Sequence, residues 1–274
     1  MLAALIIVFR ETIEAGLIVG IALAVTRGVA GSGRWVAGGV GAGVLGSVLL
    51  AAGMARLSAA FAGMGQELFN AAILAVAVVM LGWHNIWMAR HGRQTAAELR
   101  ATGAAVVAGS RTVAAMAVVC GVAVLREGAE VVLFLYGILA SGEGPGALVA
   151  GGLGGLALGA LVTGLTYAGL VRIPMRHLFA VSGLLIAVLA AGMAAQSVAF
   201  LESAGVVQVF GDTLWNSSAI LSQTSLPGRV LHAMVGYMDR PTLAEALAYA
   251  VVLSTILGLG RLLRPAAAGP ARAA

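Results

Sequence analysis

Two short charged motifs, Arg10-Glu11-Thr12-Ile13-Glu14 and Arg126-Glu127-Gly128-Ala129-Glu130, lie inside apolar runs long enough to cross a bilayer. A spanning helix needs about 20 mostly apolar residues. The chain supplies such runs at about 2–26, 35–55, 67–89, 112–140, 146–171, 178–201 and 243–263. Only 10% of the 274 residues are charged and 61% are hydrophobic, against about 25% charged in a soluble domain. A water-facing surface cannot be built from this composition, and no length remains for a separate soluble domain. The expected fold class is an all-α polytopic membrane protein with seven transmembrane helices. A single transmembrane domain fills 1–264, with an external segment at 202–242 and the seventh helix at 243–263. The Ala/Pro-rich tail 265–274 reads as disordered.

The net charge of +5 comes from 16 basic residues, all Arg, against 11 acidic ones. The arginines fall singly or in pairs between apolar runs, as topology signals do, which excludes a nucleic-acid surface. Alternate loops separate by charge. One set holds Arg27, Arg34, Arg90, Arg93, Arg100, Arg111, Arg172, Arg176, Arg261, Arg264 and Arg272, and the other only Arg56, Arg229 and Arg240. Eleven against three places the first set in the cytoplasm, the N-terminus outside and the C-terminus inside. The first run lacks a basic leader and carries three charges, so it reads as retained rather than as a signal peptide.

An internal repeat is the next signal. The charged motif recurs at an offset of 116, the glycines Gly38, Gly39, Gly41 and Gly43 are echoed by Gly151, Gly152, Gly154 and Gly155 at 113, and Leu68-Phe69 by Leu178-Phe179 at 110. Three matches in one order imply a three-span unit used twice, at about 1–110 and 111–201, plus the seventh span. Three is odd, so the two units are expected to be inverted in the membrane, with a substrate site at their interface near the midplane. The pairs Gly39/Gly43 and Gly151/Gly155 read as close helix packing.

A charge at mid-bilayer costs about 2.5–3.5 kcal/mol on insertion scales, so each motif needs a reason to be there. Helical geometry puts positions i, i+3 and i+4 on one face. Glu11 and Glu14 therefore point together within reach of Arg10, and Glu127 and Glu130 within reach of Arg126. Four Glu against two Arg leave a formal charge of −2, which hydrocarbon does not tolerate without protons or a cation. Carboxylate oxygens are ligands for hard cations. A metal pathway is the first reading, with a proton relay and structural ion pairs as the alternatives.

Other residues carry weaker signals. Glu67, beside Met64 and Gln66 at the outer start of the third span, suits a cation's point of access, and equally an acidic residue at a helix N-terminus. Glu202 and Asp212 read as solvated loop charges, with metal collection as the alternative, and His232 is a further candidate ligand without a partner at ligand spacing. Glu245 after Thr242 reads as a capping box opening the last helix. His84, between Trp83 and Trp87, reads as a histidine at the inner membrane interface, with an exit ligand as the alternative. The single Cys120 excludes an internal disulfide and a Cys-pair metal site and reads as apolar filling. No nucleotide loop, nucleophile pattern or zinc spacing is present. No catalytic residue, no cofactor and no enzymatic activity are expected.

Paired Arg-Glu-x-x-Glu motifs in the first and fourth of seven spans resemble those of the oxidase-dependent iron permease family, which includes the fungal high-affinity iron permease and bacterial EfeU-type permeases. The resemblance extends to Gln66-Glu67-Leu68-Phe69, Ala190-Ala191-Gly192, Trp215-Asn216-Ser217-Ser218 with Leu221-Ser222, and Gly236-Tyr237. It implies a multi-pass permease of the bacterial cytoplasmic membrane that imports iron as its transported substrate. It further implies that Glu11, Glu14, Glu127 and Glu130 handle the ion and that an oxidase or periplasmic iron-delivery partner works beside it. Permeation of another heavy metal such as lead, or metal sensing without transport, are the alternative expectations. Thr12 stands where members usually have Gly, Asn70 where bacterial relatives often have Glu, and Asn216 where many have Asp. The last two departures remove carboxylates on the outer side.

Overall fold

The computed structural model describes residues 1–61, 65–169 and 175–262, and side chains within these except at 88–96, 175–179 and 233–234. Eight helices follow one another among the described residues: α1 (Leu2–Val25), α2 (Ser32–Ala60), α3 (Gln66–Val107), α4 (Ala114–Ala140), α5 (Pro145–Tyr167), α6 (Met175–Ser203), α7 (Leu226–Val235) and α8 (Leu243–Leu262). The extended pairing among them is one isolated bridge, Thr213 with Thr242. Met64, Arg172 and the tail 265–274 lie outside the described residues, as do the side chains of Leu178 and Phe179.

Five segments are long and apolar enough to cross a membrane: Ser32–Ala60, Gln66–Trp87, Pro145–Tyr167, Ala180–Ser203 and Leu243–Leu262. Helices α1 and α4 match them in length at 24 and 27 residues, and differ by carrying one Arg and two Glu each. Two features depart from the expected boundaries. Helix α3 does not end near 89 but continues to Val107, so the polar segment after Trp87 is helical rather than a loop. Its Arg, Gln, Ala, Glu and Leu residues are good helix formers even though they end the apolar run. The segment 202–242, expected to be external, contains α7, started by the Ser225 hydroxyl accepting from the Gly228 amide at 3.1 Å and ended by Gly236 in the left-handed region. The capping box at α8 is formed: the Thr242 amide donates to Glu245 at 2.9 Å and the Glu245 amide to the Thr242 hydroxyl at 3.2 Å.

Helices α1, α3, α4, α6 and α8 share one core, built around Ile7, Leu74, Leu81, Phe134, Ile186 and Ile256. A second core of Ala22, Val36, Leu99, Val106, Met116 and Cys120 joins the ends of α1 and α3 to α2 and α4. Helices α2 and α5 sit at the periphery and turn rows of Leu and Val outward, among them Leu45, Leu49, Leu153 and Leu161. An exposed apolar stripe of this extent is what a lipid-facing helix presents.

The peripheral helices are drawn in by glycine. On α2, Gly39 and Gly43 rest on the backbone carbonyls of Ala117 and Gly121 in α4. On α5, Gly151 and Gly155 rest on those of Met1 and Leu5 in α1. The glycines correspond at an offset of 112 and the carbonyls at 116, so the structural match of α2 with α5 differs by one residue from the 113 of the sequence pattern. One turn further along, Ser47 on α2 meets Gly128 of the second motif, and Gly159 on α5 meets Thr12 of the first. The hydroxyl residue has changed sides and the glycine with it. Thr12 is thus accommodated by a glycine opposite.

A Cβ at Gly155 would stand 2.5 Å from the Leu5 carbonyl oxygen, which forces α1 and α5 apart. Gly155→Ala is expected to lower stability by about 1–3 kcal/mol, read as a lower melting temperature in detergent, whereas Gly164→Ala, with open space around it, should leave it unchanged.

Candidate metal centre

The motif residues of α1 and α4 meet at the centre of the shared core. On α1, the rows Ala3, Ile7, Glu11, Glu14 and Ala4, Ile7, Arg10, Glu14 are buried together, because three- and four-residue steps return to one face. On α4 the same spacing buries Glu127, Glu130 and Phe134. All four Glu residues are at most 5% exposed. Arg10 forms ion pairs with both glutamates of its own motif, Nη1 donating to Glu11 Oε1 at 3.3 Å and Nε lying 2.9 Å from Glu14 Oε1. Arg126 approaches Glu130 Oε1 at 3.2 Å and Glu127 Oε1 at 3.9 Å.

The two arginines differ in setting. The Arg10 side chain is 3% exposed, whereas that of Arg126 is 40% exposed, and its guanidinium lies over the Trp87 ring at 4.5 Å from the centroid. The i,i+4 pair is the same in both motifs; only the first is sealed.

Between the motifs stands His84 of α3. Expected at the inner interface, it is instead buried at 2% exposure. Its Nε2 lies 3.0 Å from Glu14 Oε2 and 3.9 Å from Glu11 Oε2, while Nδ1 contacts Glu130 Oε2 and lies 3.5 Å from Arg126 Nη2. The tryptophans beside it misled the expectation. Trp83 does face outward, but a helical step of about 100° turns the next residue inward, and α3 runs on well past Trp87. The signal that was available is the general one: an ionisable residue inside an apolar run is costly and marks a functional position.

One ligand atom each from Glu11, His84, Glu127 and Glu130 can be chosen so that all lie within 4.8 Å of one another. Glu11 Oε2 and Glu127 Oε2 are buried and accept no hydrogen bond. Unspent acceptor capacity inside a sealed core is costly, and a cation among these oxygens would use it. The carboxylates therefore fit a metal ion by donor type, number and spacing.

Glu67 lies apart from this cluster. It is exposed in the first turn of α3, seventeen residues and so roughly 25 Å of helix from His84. Glu202 accepts from the Thr242 hydroxyl at 3.0 Å, and Asp212 lies exposed. Asn216 Oδ1 accepts from the amide and hydroxyl of Ser218 and so shapes a local turn. His232 lines a small cavity with Ser141, Glu143 and Gln196, floored by Ala3 and Ile7. Its Nδ1 donates to the Tyr237 carbonyl at 2.8 Å, while Glu143 pairs with the Met1 amine at 2.6 Å. Ile7, fully buried, separates this cavity from Glu11 one turn further along α1. Glu143 carries no motif, and the sequence alone did not mark it. Gly192 and Gly236, distant in sequence, are in backbone contact where α6 meets the end of α7.

The profile of the Iron permease FTR1 family matches residues 1–263. The chain belongs to this family. It is similar to proteins named Ferrous iron permease EfeU. The one from Escherichia coli O6:H1 (strain CFT073) is 32% identical over 254 residues, 90% of this chain and 91% of the relative. The one from Yersinia pestis is 32% identical over 274 residues, 98% and 96% of the two chains, and that of Shigella sonnei is 30% identical over 253 residues. No solved structure matches the chain. As an iron permease of this family the protein is a multi-pass membrane protein of the bacterial inner membrane with iron ion as its cargo.

Proposed function

We propose that the chain imports ferrous iron through a centre formed by Glu11, Glu14, Glu127 and Glu130. Arg10 and Arg126 limit the negative charge of the empty centre and orient the carboxylates. The observation that carries this reading is the meeting of both motifs in one buried cluster that retains unsatisfied carboxylate oxygens. An ion reaching it would exchange hydration water for carboxylate oxygen and leave on the other side after a conformational exchange. An oxidase or iron-delivery partner would act at the outer face.

In this reading α1 to α6 and α8 are the seven spans, and α1–α3 and α4–α6 the two inverted units. The reciprocal packing supports it: α5 seats on α1 as α2 seats on α4, with the Thr12/Gly159 and Ser47/Gly128 exchange at equivalent places. Orientation follows from the Arg asymmetry. On a Cys120→Ser background, single cysteines at 97–110 should react only with reagent supplied from the cytoplasmic side, and cysteines at 205–224 only from outside. Labelling of the first segment from outside would reverse the topology.

The functional test is flux of labelled iron into proteoliposomes under anaerobic reducing conditions and, separately, with chelated ferric iron. Saturable ferrous influx is expected. Saturable binding without influx would contradict transport, and faster influx of ferric than ferrous iron would contradict the ferrous assignment.

A further inference from the structure

The carboxylates alone make a hard, oxygen-only set, and such sets suit Mg²⁺, Ca²⁺ and Mn²⁺. Among the described residues His84 is the one nitrogen donor in the cluster. It comes from α3, outside both motifs, and it stands between them. Imidazole nitrogen suits iron, zinc, nickel and copper. We propose that His84 is a direct ligand of the transported ion and the residue that gives the centre its preference for ferrous iron over manganese and the alkaline-earth ions. The proposal rests on the reading of the carboxylate cluster as a metal site.

Geometry supports ligation in three ways. A first-row divalent ion binds N and O donors at about 2.0–2.2 Å, so ligand atoms on opposite sides of it are about 4.4 Å apart at most. The mutual limit of 4.8 Å for Glu11, His84, Glu127 and Glu130 exceeds this by a few tenths of an ångström, a contraction side-chain rotation supplies. Second, the ring stands between the two motifs with a glutamate against each nitrogen, so a nitrogen without its proton is aimed at donor oxygens. Nδ1 lies against Glu130 and 3.5 Å from Arg126 Nη2, and Nε2 hydrogen-bonds Glu14 at 3.0 Å and lies 3.9 Å from Glu11. An ion entering would replace the Nε2–H to Glu14 hydrogen bond with two metal bonds, the Nε2 proton passing to water as the metal binds. Third, the neighbouring acceptors Glu11 Oε2 and Glu127 Oε2 accept no hydrogen bond from an N–H or hydroxyl donor.

The competing role for His84 is a bridge that only holds α1 to α4 through Glu14 and Glu130. His84→Gln separates the two roles, because an amide still donates to a carboxylate but offers no imidazole nitrogen. Dissociation constants for Fe²⁺, Mn²⁺ and Ca²⁺ would be measured anaerobically on the purified full-length parent, His84→Gln and Glu11→Gln. His84→Gln is expected to weaken Fe²⁺ by about tenfold or more while Mn²⁺ and Ca²⁺ change by less than about threefold, so the preference collapses. Equal weakening of all three ions, or an unchanged preference, overturns the proposal. The metal-site reading is tested separately by Glu11→Gln, which should weaken every ion. If Glu11→Gln weakens binding and His84→Gln leaves the preference intact, only the role of His84 fails. Iron-edge X-ray absorption of the Fe²⁺-loaded parent supplies a readout that needs no variant: imidazole scattering from a directly bound nitrogen is expected and should persist in His232→Gln. Its absence from the parent, or its loss in His232→Gln, overturns the assignment.

Discussion

Glu14→Gln and Glu130→Gln should each reduce iron uptake to background, at least about 100-fold below the parent, while leaving abundance and membrane insertion unchanged. Both residues occupy the last position of their motif and both face His84. Each also holds an arginine, Glu14 at 2.9 Å from Arg10 Nε and Glu130 at 3.2 Å from Arg126 Nε. The amide keeps the volume and removes the charge, so packing around Leu74 and Phe134 is undisturbed. What is lost is an anionic ligand in a sealed site, and loss of a ligand or its immediate support typically costs 10–100-fold in metal affinity. The loss of charge compounds this, since a divalent ion would face a formal −1 instead of −2. Normal flux in either variant at normal abundance would show that one motif suffices, and the paired centre would be wrong. Uptake per molecule, normalised to protein in the membrane fraction, is the measurement.

The equivalent arginines should behave unequally. Arg10→Gln is expected to cost about 3–5 kcal/mol of stability, the range for removing one partner of a buried ion pair. Its side chain is 3% exposed and serves both Glu11 and Glu14. Arg126→Gln should cost about 1 kcal/mol, because its 40% exposed side chain makes a partly screened ion pair and a contact with Trp87 worth about 0.5–1 kcal/mol. Sequence symmetry alone would predict equal losses. Thermal unfolding of the two variants side by side in one detergent decides between them, and equal shifts would mean that the second motif is as well sealed as the first.

Much of this architecture was legible in the sequence because its causes are local. Apolar length marked the spans, the 3.6-residue period placed both glutamates of a motif on one face, and Thr242 with Glu245 announced the start of α8. The glycine pairs announced close packing, though not which helix each would meet. What escaped depends on contacts between distant segments. His84 was referred to the aromatic residues beside it, and only the approach of α3 to α1 and α4 places it between the motifs. The helical stretch of α3 beyond Trp87 was hidden because hydropathy falls there while helix propensity does not. Glu143 and His232 share a cavity only because α7 folds back against α1 and α6, with Gly192 and Gly236 in contact.

The central claim, that iron is held by both motifs at once, is tested most directly by ferrous-iron-dependent thermal stabilisation of the parent, Glu11→Gln and Glu127→Gln. A ligand that binds only the folded protein adds RT ln(1 + [L]/Kd), about 2.7 kcal/mol at a concentration of 100 Kd. The parent should gain this increment. Each Gln variant should lose it without a lower metal-free melting temperature, because each removes an unbalanced buried charge. Equal stabilisation of parent and both variants by iron would place the ion elsewhere and contradict the two-motif centre.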